Sequence, residues 1–182
     1  THQKGIDLVA DAVPHIIAMG GQLAVLGSGD HGLEAGLLTA AQRHPGRVAV
    51  TIGYDEPLAH LVQAGIDALL MPSRFEPCGL TQMIALRYGA LPIVARVGGL
   101  ADTVIDANEM ALAAGTGTGF QFAPVARAPF ELALDRASRL RADAKAWRRL
   151  QVHAMGTDVS WRRPARQYAE LFHDVVRHRA TT

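Results

Sequence analysis

The chain has 182 residues, 49% of them hydrophobic and 19% charged, which is typical of a globular domain and excludes a disordered or fibrous chain. Its formal net charge of +1 argues against nucleic acid or an anionic membrane as a bulk partner. The single cysteine, Cys78, excludes a disulfide framework or a multi-cysteine zinc site. No apolar run approaches the roughly 18 residues of a membrane span, and no charged-then-apolar leader opens the chain, so we expect a cytoplasmic protein. Because Thr1 is not Met, we also expect a piece of a longer protein.

Short apolar runs alternate with longer amphipathic ones through the first half of the chain. The pattern predicts helices at 5–19, 33–43, 56–64 and 79–88, and strands at 22–26, 48–52, 67–71 and 91–95. Short connections and uniformly apolar strands are typical of parallel sheets that helices cover on both faces. The sequence therefore predicts an α/β fold with a doubly wound, Rossmann-like parallel sheet.

The pattern changes after Gly98-Gly99. A Gly/Thr-rich loop at 115–119 leads into Phe120-Gln121-Phe122, and three further helices are predicted at 124–140, 143–155 and 160–178. Ligands of an open parallel sheet lie beyond the carboxyl ends of its strands. The segments that directly follow strands are therefore the candidates for chemistry.

A glycine-rich turn follows the first predicted strand. Residues 27–32, which include Gly27 and Gly29, have the spacing G-x-G-x-x-G and precede a helix, where a dinucleotide fold would bind pyrophosphate. Such a fold also needs an acid about 20 residues further on for the ribose hydroxyl, and the candidates Asp55 and Glu56 come late. We favour a tight turn that lines a different nucleotide ligand, with an NAD-linked oxidoreductase as the alternative.

The stretch at 72–81, Pro-Ser-Arg-Phe-Glu-Pro-Cys-Gly-Leu-Thr, lies between a buried strand and a helix. Free N–H groups around Gly79, Leu80 and Thr81 would face a ligand and favour negative charge. Glu76 beside them would accept hydrogen bonds from sugar hydroxyls. Thr and Glu at a helix start are also ordinary capping residues, which is the purely structural interpretation.

Two more side chains are candidates for ligand contact. Lys4 precedes the first helix and would meet a diphosphate as a point charge, although a lysine there is also commonly just solvated. Tyr54 follows a strand end and would stack on a purine, or serve only as a half-buried strand-end residue. His31, His44 and His60 do not converge by spacing on a metal site, and no Ser-His-Asp arrangement is evident.

These segments resemble the carboxyl-terminal domain of bacterial glycogen synthases and plant starch synthases. The run from Arg74 to Gln82 is the most specific part of the resemblance, and Gly-Gly-Leu-Ala-Asp-Thr-Val at 98–104 is nearly as specific. The resemblance covers essentially the whole chain, through residues 3–8, 26–30, 53–54, 72–82, 88–89, 92, 98–104, 119–120, 160–161, 168 and 171.

The resemblance implies one half of a GT-B type, two-domain retaining glycosyltransferase that needs no metal or other cofactor. Such an enzyme moves glucose from ADP-glucose to the non-reducing end of an α-1,4-glucan, which it binds through its other domain. Residues 1–159 would form the Rossmann-like donor-binding domain. Residues 160–182 would form a helix that crosses back to the amino-terminal acceptor domain.

The resemblance also implies roles for individual residues. Lys4 would neutralise the diphosphate, Tyr54 would pack at the nucleoside, and Glu76 would hold the transferred glucose and stabilise the developing oxocarbenium charge. Lys4 and Glu76 are thus the expected catalytic residues. The other expected substrate-binding residues are Gly27, Gly29, Arg74, Cys78, Gly79, Leu80 and Thr81.

Three departures from the family pattern shape the expectation. Wider families place a second Glu eight residues after the first, but position 84 is Ile, which leaves a ribose contact unassigned. The family's phosphate-binding Arg, expected shortly before Lys4, and the acceptor domain both lie outside this sequence. We therefore expect the chain alone to bind ADP-glucose weakly and to transfer little. UDP-glucose as donor, a related retaining transferase and a non-catalytic nucleotide-binding module remain alternatives.

Overall fold

In the computed structural model, which describes residues 2–180, strands alternate with helices as the sequence pattern predicts. The strands are β1 (Leu23–Gly27), β2 (Val48–Ile52), β3 (Ala68–Met71), β4 (Leu91–Ala95) and β5 (Phe120–Phe122). A short 3₁₀-helix, His2–Lys4, precedes the helices α1 (Ile6–Ala18), α2 (His31–Arg43), α3 (Glu56–Gly65), α4 (Thr81–Tyr88), α5 (Gly98–Thr103), α6 (Glu109–Ala114), α7 (Arg127–Ala142), α8 (Ala144–Gly156) and α9 (Arg162–Ala180). Residues 1, 181 and 182 of the two predicted domains lie outside the described residues.

All strand pairs are parallel, and they form two hydrogen-bonded ladders. The β1 and β2 strands pair with each other, while β4 lies between β3 and β5. The sequence predicts one sheet, whereas strand hydrogen bonds divide it in two. Both ladders still contribute to one hydrophobic core, because Leu23 of β1 and Val48 of β2 belong to the same buried cluster as Leu91 of β4 and Phe120 of β5.

Capping side chains place two helix starts directly after strand ends. Asp30 accepts a hydrogen bond from the N–H of Leu33 at 3.0 Å, and α2 begins at the next residue. Asp55 accepts from the N–H of Leu58 at 2.9 Å and begins α3 in the same way. Because an N-cap satisfies a backbone donor that the helix leaves unpaired, each aspartate fixes where its helix begins.

The structure shifts some predicted boundaries and adds two helices. The α4 helix begins at Thr81 rather than at the predicted 79, because Gly79 adopts a left-handed conformation with φ of 71°. The α7 helix begins at Arg127 rather than 124, after the extended residue Ala126. The α5 and α6 helices, of six residues each, were not predicted.

The carboxyl-terminal helix α9 is the least buried helix that carries large apolar side chains. Trp161, just before it, and Tyr168, Leu171, Phe172 and Val175 along it are all exposed. The helix therefore presents an amphipathic surface that packs on little else in the described chain. Among residues 2–180, no helix is both long and apolar enough to span a membrane.

Candidate functional site

Parallel strands end on the same side of their ladder, so the loops that leave β1 and β2 lie at one edge of the first ladder and those that leave β3 and β4 at one edge of the second. The loops after β1 and β2 carry Gly27, Gly29 and Tyr54. The loop after β3 carries the run from Pro72 to Leu80, and the turn after β4 leads into α5. The sequence-based site residues therefore lie at the carboxyl ends of these strands, apart from Lys4, which comes from the start of the chain.

Lys4 contacts Glu76 of the loop after β3, which is 72 positions away in sequence. The lysine nitrogen lies 2.5 Å from Oε2 of Glu76. The Glu76 side chain is only 8% exposed, whereas Lys4 is 48% exposed. The Ser73 hydroxyl donates to the same carboxylate oxygen at 3.5 Å. A buried carboxylate is thus held by a cation that still faces solvent, and the two predicted catalytic residues form one ion pair.

Gly5 allows Lys4 to come this close to the β3 loop. Its φ is 67°, and a Cβ on it would lie 2.0 Å from the Pro72 carbonyl oxygen. Any other residue at position 5 would push the start of α1 away from β3. The glycine that follows the lysine therefore sets the distance at which Lys4 meets Glu76.

Arg74 also connects the β3 loop to the start of the chain. Its guanidinium donates to both carboxylate oxygens of Asp7, at 2.8 and 2.6 Å, and to the His2 carbonyl at 2.7 Å. Its backbone N–H donates to the Gln3 carbonyl at 2.8 Å. The hydrogen bonds from Arg74 lower the pKa of the Asp7 carboxyl. Arg74 thereby holds the lysine-bearing turn in place, and its predicted direct contact with substrate stays a prediction.

Two glycine loops meet backbone to backbone beside Glu76. The Gly99 N–H donates to the Glu76 carbonyl at 3.1 Å. A Cβ on Gly98 would lie 2.1 Å from that carbonyl oxygen, and one on Gly99 would lie 2.3 Å from the Cys78 carbonyl oxygen. The start of α5 therefore packs against the β3 loop at a distance that only glycine permits.

The start of α4 offers free backbone donors beside this pair. Leu80 precedes the helix without a side-chain cap, and Gly79 before it is left-handed. Within residues 2–180, the N–H groups of Gly79 and Leu80 have no hydrogen-bond acceptor. The positive end of a helix with unpaired N–H groups favours an anion. Cys78 and Thr81 flank these donors and are exposed.

The glycine turn after β1 differs from the start of α4, because carboxylate side chains accept hydrogen bonds from its backbone N–H groups. The Gly29 N–H donates to the Glu34 carboxylate at 2.7 Å, and this hydrogen bond lowers the pKa of Glu34. Asp30 accepts a hydrogen bond from the Leu33 N–H at the start of α2. Two carboxylates thus occupy the amides that a dinucleotide pyrophosphate would use. Asp55, the candidate ribose acceptor, caps α3, so the structure does not favour the NAD alternative.

Tyr54 stands at the end of β2 with 87% of its surface exposed. Its hydroxyl lies 3.4 Å from the Glu56 carboxylate, and its ring faces solvent. An exposed aromatic ring at the carboxyl edge of the strands offers a flat apolar surface for a base. No hydrogen bond among the described residues joins Gly27, Gly29 and Tyr54 to Lys4 and Glu76.

The sequence reasoning missed Gln82 and Thr103. Gln82 is fully buried, and its side-chain nitrogen donates to the carbonyls of Cys78 and Gly79 and to the Thr103 hydroxyl. Both residues lie within the two most specific family motifs, and that position was the available signal. Their polar residue types alone gave no reason to expect burial, because polar side chains on short helices are usually solvated.

The comparisons with known proteins agree with this fold. Residues 1–124 match the family described as "Glycosyl transferases group 1". The chain therefore belongs to the group 1 glycosyltransferases. Within them it is of the glycogen and starch synthase type: it is 60% identical over 177 residues to the glycogen synthases of Rhodopseudomonas palustris (strain ATCC BAA-98 / CGA009) and Methylocella silvestris. These matches cover 97% of this chain and 37% of each relative, so the chain spans about a third of their length.

Solved structures give the same grouping. The catalytic domain of starch synthase IV from Arabidopsis thaliana, bound to ADP and acarbose, superposes with a TM-score of 0.85 at 35% identity. That match covers 96% of this chain and 36% of the starch synthase chain. A sucrose-phosphate synthase from Thermosynechococcus elongatus, at 22% identity and a TM-score of 0.68, shares the fold. The neighbours are GT-B glycosyltransferases, and this chain corresponds to the carboxyl-terminal half.

Proposed function

We propose that this chain is the donor-binding half of a cytoplasmic enzyme that transfers glucose from ADP-glucose to the non-reducing end of an α-1,4-glucan with retention. One observation carries the proposal: buried Glu76 is paired with half-exposed Lys4 beside the uncapped start of α4. A carboxylate, a movable cation and free N–H groups are what a glycosyl diphosphate needs around its reacting bond. The other domain of the enzyme would supply the glucan.

Lys4 and the first turn of α4 would stabilise the leaving diphosphate. Charge builds on the leaving oxygen as the glycosidic bond breaks, and fixed donors aimed at that charge lower the barrier. Lys4 is exposed enough to reach a ligand, and Gly79 and Leu80 hold their N–H groups unpaired. On donor binding, Lys4 would exchange Glu76 for a phosphate as its partner.

Glu76 would then face the sugar. Once released from Lys4, its carboxylate accepts hydrogen bonds from glucose hydroxyls and stabilises the positive charge that develops on the ring. The exposed Tyr54 ring would pack on the nucleoside. The ADP bound to the starch synthase IV neighbour supports an adenine nucleotide as the donor's leaving group, and the names of the relatives support a glucan acceptor.

The test is a calorimetric titration of the chain with ADP-glucose, UDP-glucose and NADH. We expect weak, saturable binding of ADP-glucose, reduced about tenfold by Lys4→Ala or Glu76→Ala, since each removes a charged contact. Lys145→Ala on α8 is the matched control, because that lysine is exposed and far along the chain from the site. Tighter binding of UDP-glucose would change the assigned donor. Binding of NADH alone would refute the proposal.

A further inference from the structure

We propose that Gln82, held in place by Thr103, is a positioning residue that turns the N–H groups of Gly79 and Leu80 toward the donor's diphosphate. The inference rests on the proposed function and adds to it a buried element that shapes the anion site. Gln82 touches no substrate in this scheme. It acts only through the backbone of the loop before α4.

The Gln82 amide is fixed from several sides. Its residue has no exposed surface, and its nitrogen donates to the Cys78 carbonyl at 3.1 Å, the Gly79 carbonyl at 2.9 Å and the Thr103 hydroxyl at 3.0 Å. Two N–H bonds thus serve three acceptors. A buried amide held at three points has one orientation available, because any rotation breaks at least one of these hydrogen bonds without water to replace it.

Peptide geometry converts these contacts into a direction for the N–H groups. The C=O and N–H of a trans peptide point in opposite directions. The Cys78 and Gly79 carbonyls point inward to Gln82, so the N–H groups of Gly79 and Leu80 point outward. The left-handed Gly79 followed by the right-handed Leu80 turns successive N–H groups into a shared concavity, which suits an anion.

Thr103 connects the loop before α4 to Gly99 at the start of α5. Its hydroxyl accepts from Gln82 and donates to the Gly99 carbonyl at 2.5 Å. The Gly99 N–H in turn donates to the Glu76 carbonyl. A continuous set of hydrogen bonds therefore runs from the amides that would meet phosphate to the backbone of the carboxylate that would meet sugar.

The amide oxygen of Gln82 shows that orientation, and not stability alone, accounts for this residue. Oε1 is buried without a hydrogen-bond partner among the described residues, 2.5 Å from where a Cβ on Gly79 would stand. A buried acceptor left unpaired is unfavourable, so an apolar side chain of the same shape would be stabilising in that respect. Turning the amide over would place the oxygen against two carbonyls, which excludes the alternative orientation.

The experiment compares binding of ADP and adenosine by NMR titration of the chain. Gln82→Met keeps the shape but removes both donors, and Thr103→Val removes the hydroxyl. Each is expected to weaken ADP binding about tenfold and to leave adenosine binding unchanged, because the two amides would contact phosphate and not the nucleoside. Thr103→Ser keeps the hydroxyl and should bind ADP as well as the unaltered chain does. Gln63→Met is the matched control, since Gln63 also has a buried unpaired oxygen but lies on α3.

Thermal melts of each variant accompany the titrations, so that a variant that fails to fold is replaced by the other one. If the unaltered chain binds neither ADP nor ADP-glucose, the donor site itself fails, and the positioning role fails with it. If the unaltered chain binds ADP and both Gln82→Met and Thr103→Val bind it equally well, the donor site stands and only the positioning role is refuted. Equal loss of ADP and adenosine binding would also refute that role.

Discussion

The structure and helix propensity predict opposite effects of replacing Gly99 by alanine on the stability of the chain. Gly99 lies in α5, where alanine is intrinsically favoured over glycine by roughly 1 kcal/mol. Its φ is not in the left-handed region, so the backbone itself would accept a side chain. The new Cβ would nevertheless lie 2.3 Å from the Cys78 carbonyl oxygen and 2.6 Å from the Cys78 Cα.

Both neighbours are backbone atoms, so neither can move aside as a flexible side chain would. An ordinary contact begins near 3.4 Å, and the loop at Cys78 must therefore shift by about 1 Å, at a cost of about 1–3 kcal/mol. For a chain of this size that corresponds to a fall in Tm of roughly 3–10 °C. The shift also moves the amides after Cys78, so we expect ADP-glucose binding to weaken about tenfold or more.

The assay is a thermal melt with a calorimetric ADP-glucose titration, run beside Gly36→Ala. Gly36 lies inside α2, and a Cβ there would meet nothing within 4 Å. This control should therefore raise stability by about 0.5–1 kcal/mol and leave donor binding unchanged. The two substitutions have opposite expected signs. If Gly99→Ala melts at or above the temperature of the unaltered chain and binds donor normally, the tight contact between the two loops is refuted.

Three further outcomes are expected. Asp7→Asn should lower the free energy of unfolding at pH 7 by about 1 kcal/mol through loss of the Arg74 pair. Because hydrogen bonds from Arg74 hold the Asp7 pKa below its ordinary value of 3.8, this stability is present above that value and lost as the pH falls through the lower folded pKa. Urea melts should therefore show the difference shrinking in acid, and a constant difference would contradict it. Asp106→Asn should cost about 1–3 kcal/mol, since Asp106 accepts from Arg136 at 3.0 and 2.9 Å and from a backbone N–H at 2.8 Å; additive effects with Arg136→Met in a double-mutant cycle would refute the coupling. Amide hydrogen exchange should be faster at 162–180 than in the buried strands, because that helix buries almost nothing, and equal protection would argue against it.

The strand and helix order is predictable from the sequence because each element has a strong local signal. The β4 strand is wholly apolar and wholly buried, and α1 repeats apolar residues at helical spacing. The short helices α5 and α6 were missed because six residues are too few to show a period. Gly98-Gly99 also suggests a break, yet the helix begins there, because the glycines are required by the neighbouring loop and not by a turn.

The candidate site was only partly predictable. Lys4 and Glu76 were selected from local motifs and the family resemblance, but nothing in the spacing of two residues 72 positions apart shows that they meet. Arg74 was expected to face substrate, and its pairing with Asp7 depends on how α1 packs against the β3 loop. Gln82 was missed because burial of a polar side chain is set by tertiary contacts, which local sequence patterns do not encode.

The two ladders carry different parts of the candidate site. The loops of β1 and β2 carry Tyr54, while those of β3 and β4 carry Glu76 and the start of α4. Within residues 2–180 no strand-to-strand hydrogen bond crosses between the ladders, which meet through packed apolar side chains. A nucleotide sugar that contacted Tyr54 and Glu76 together would therefore bridge two ladders that, within residues 2–180, are joined by side-chain packing.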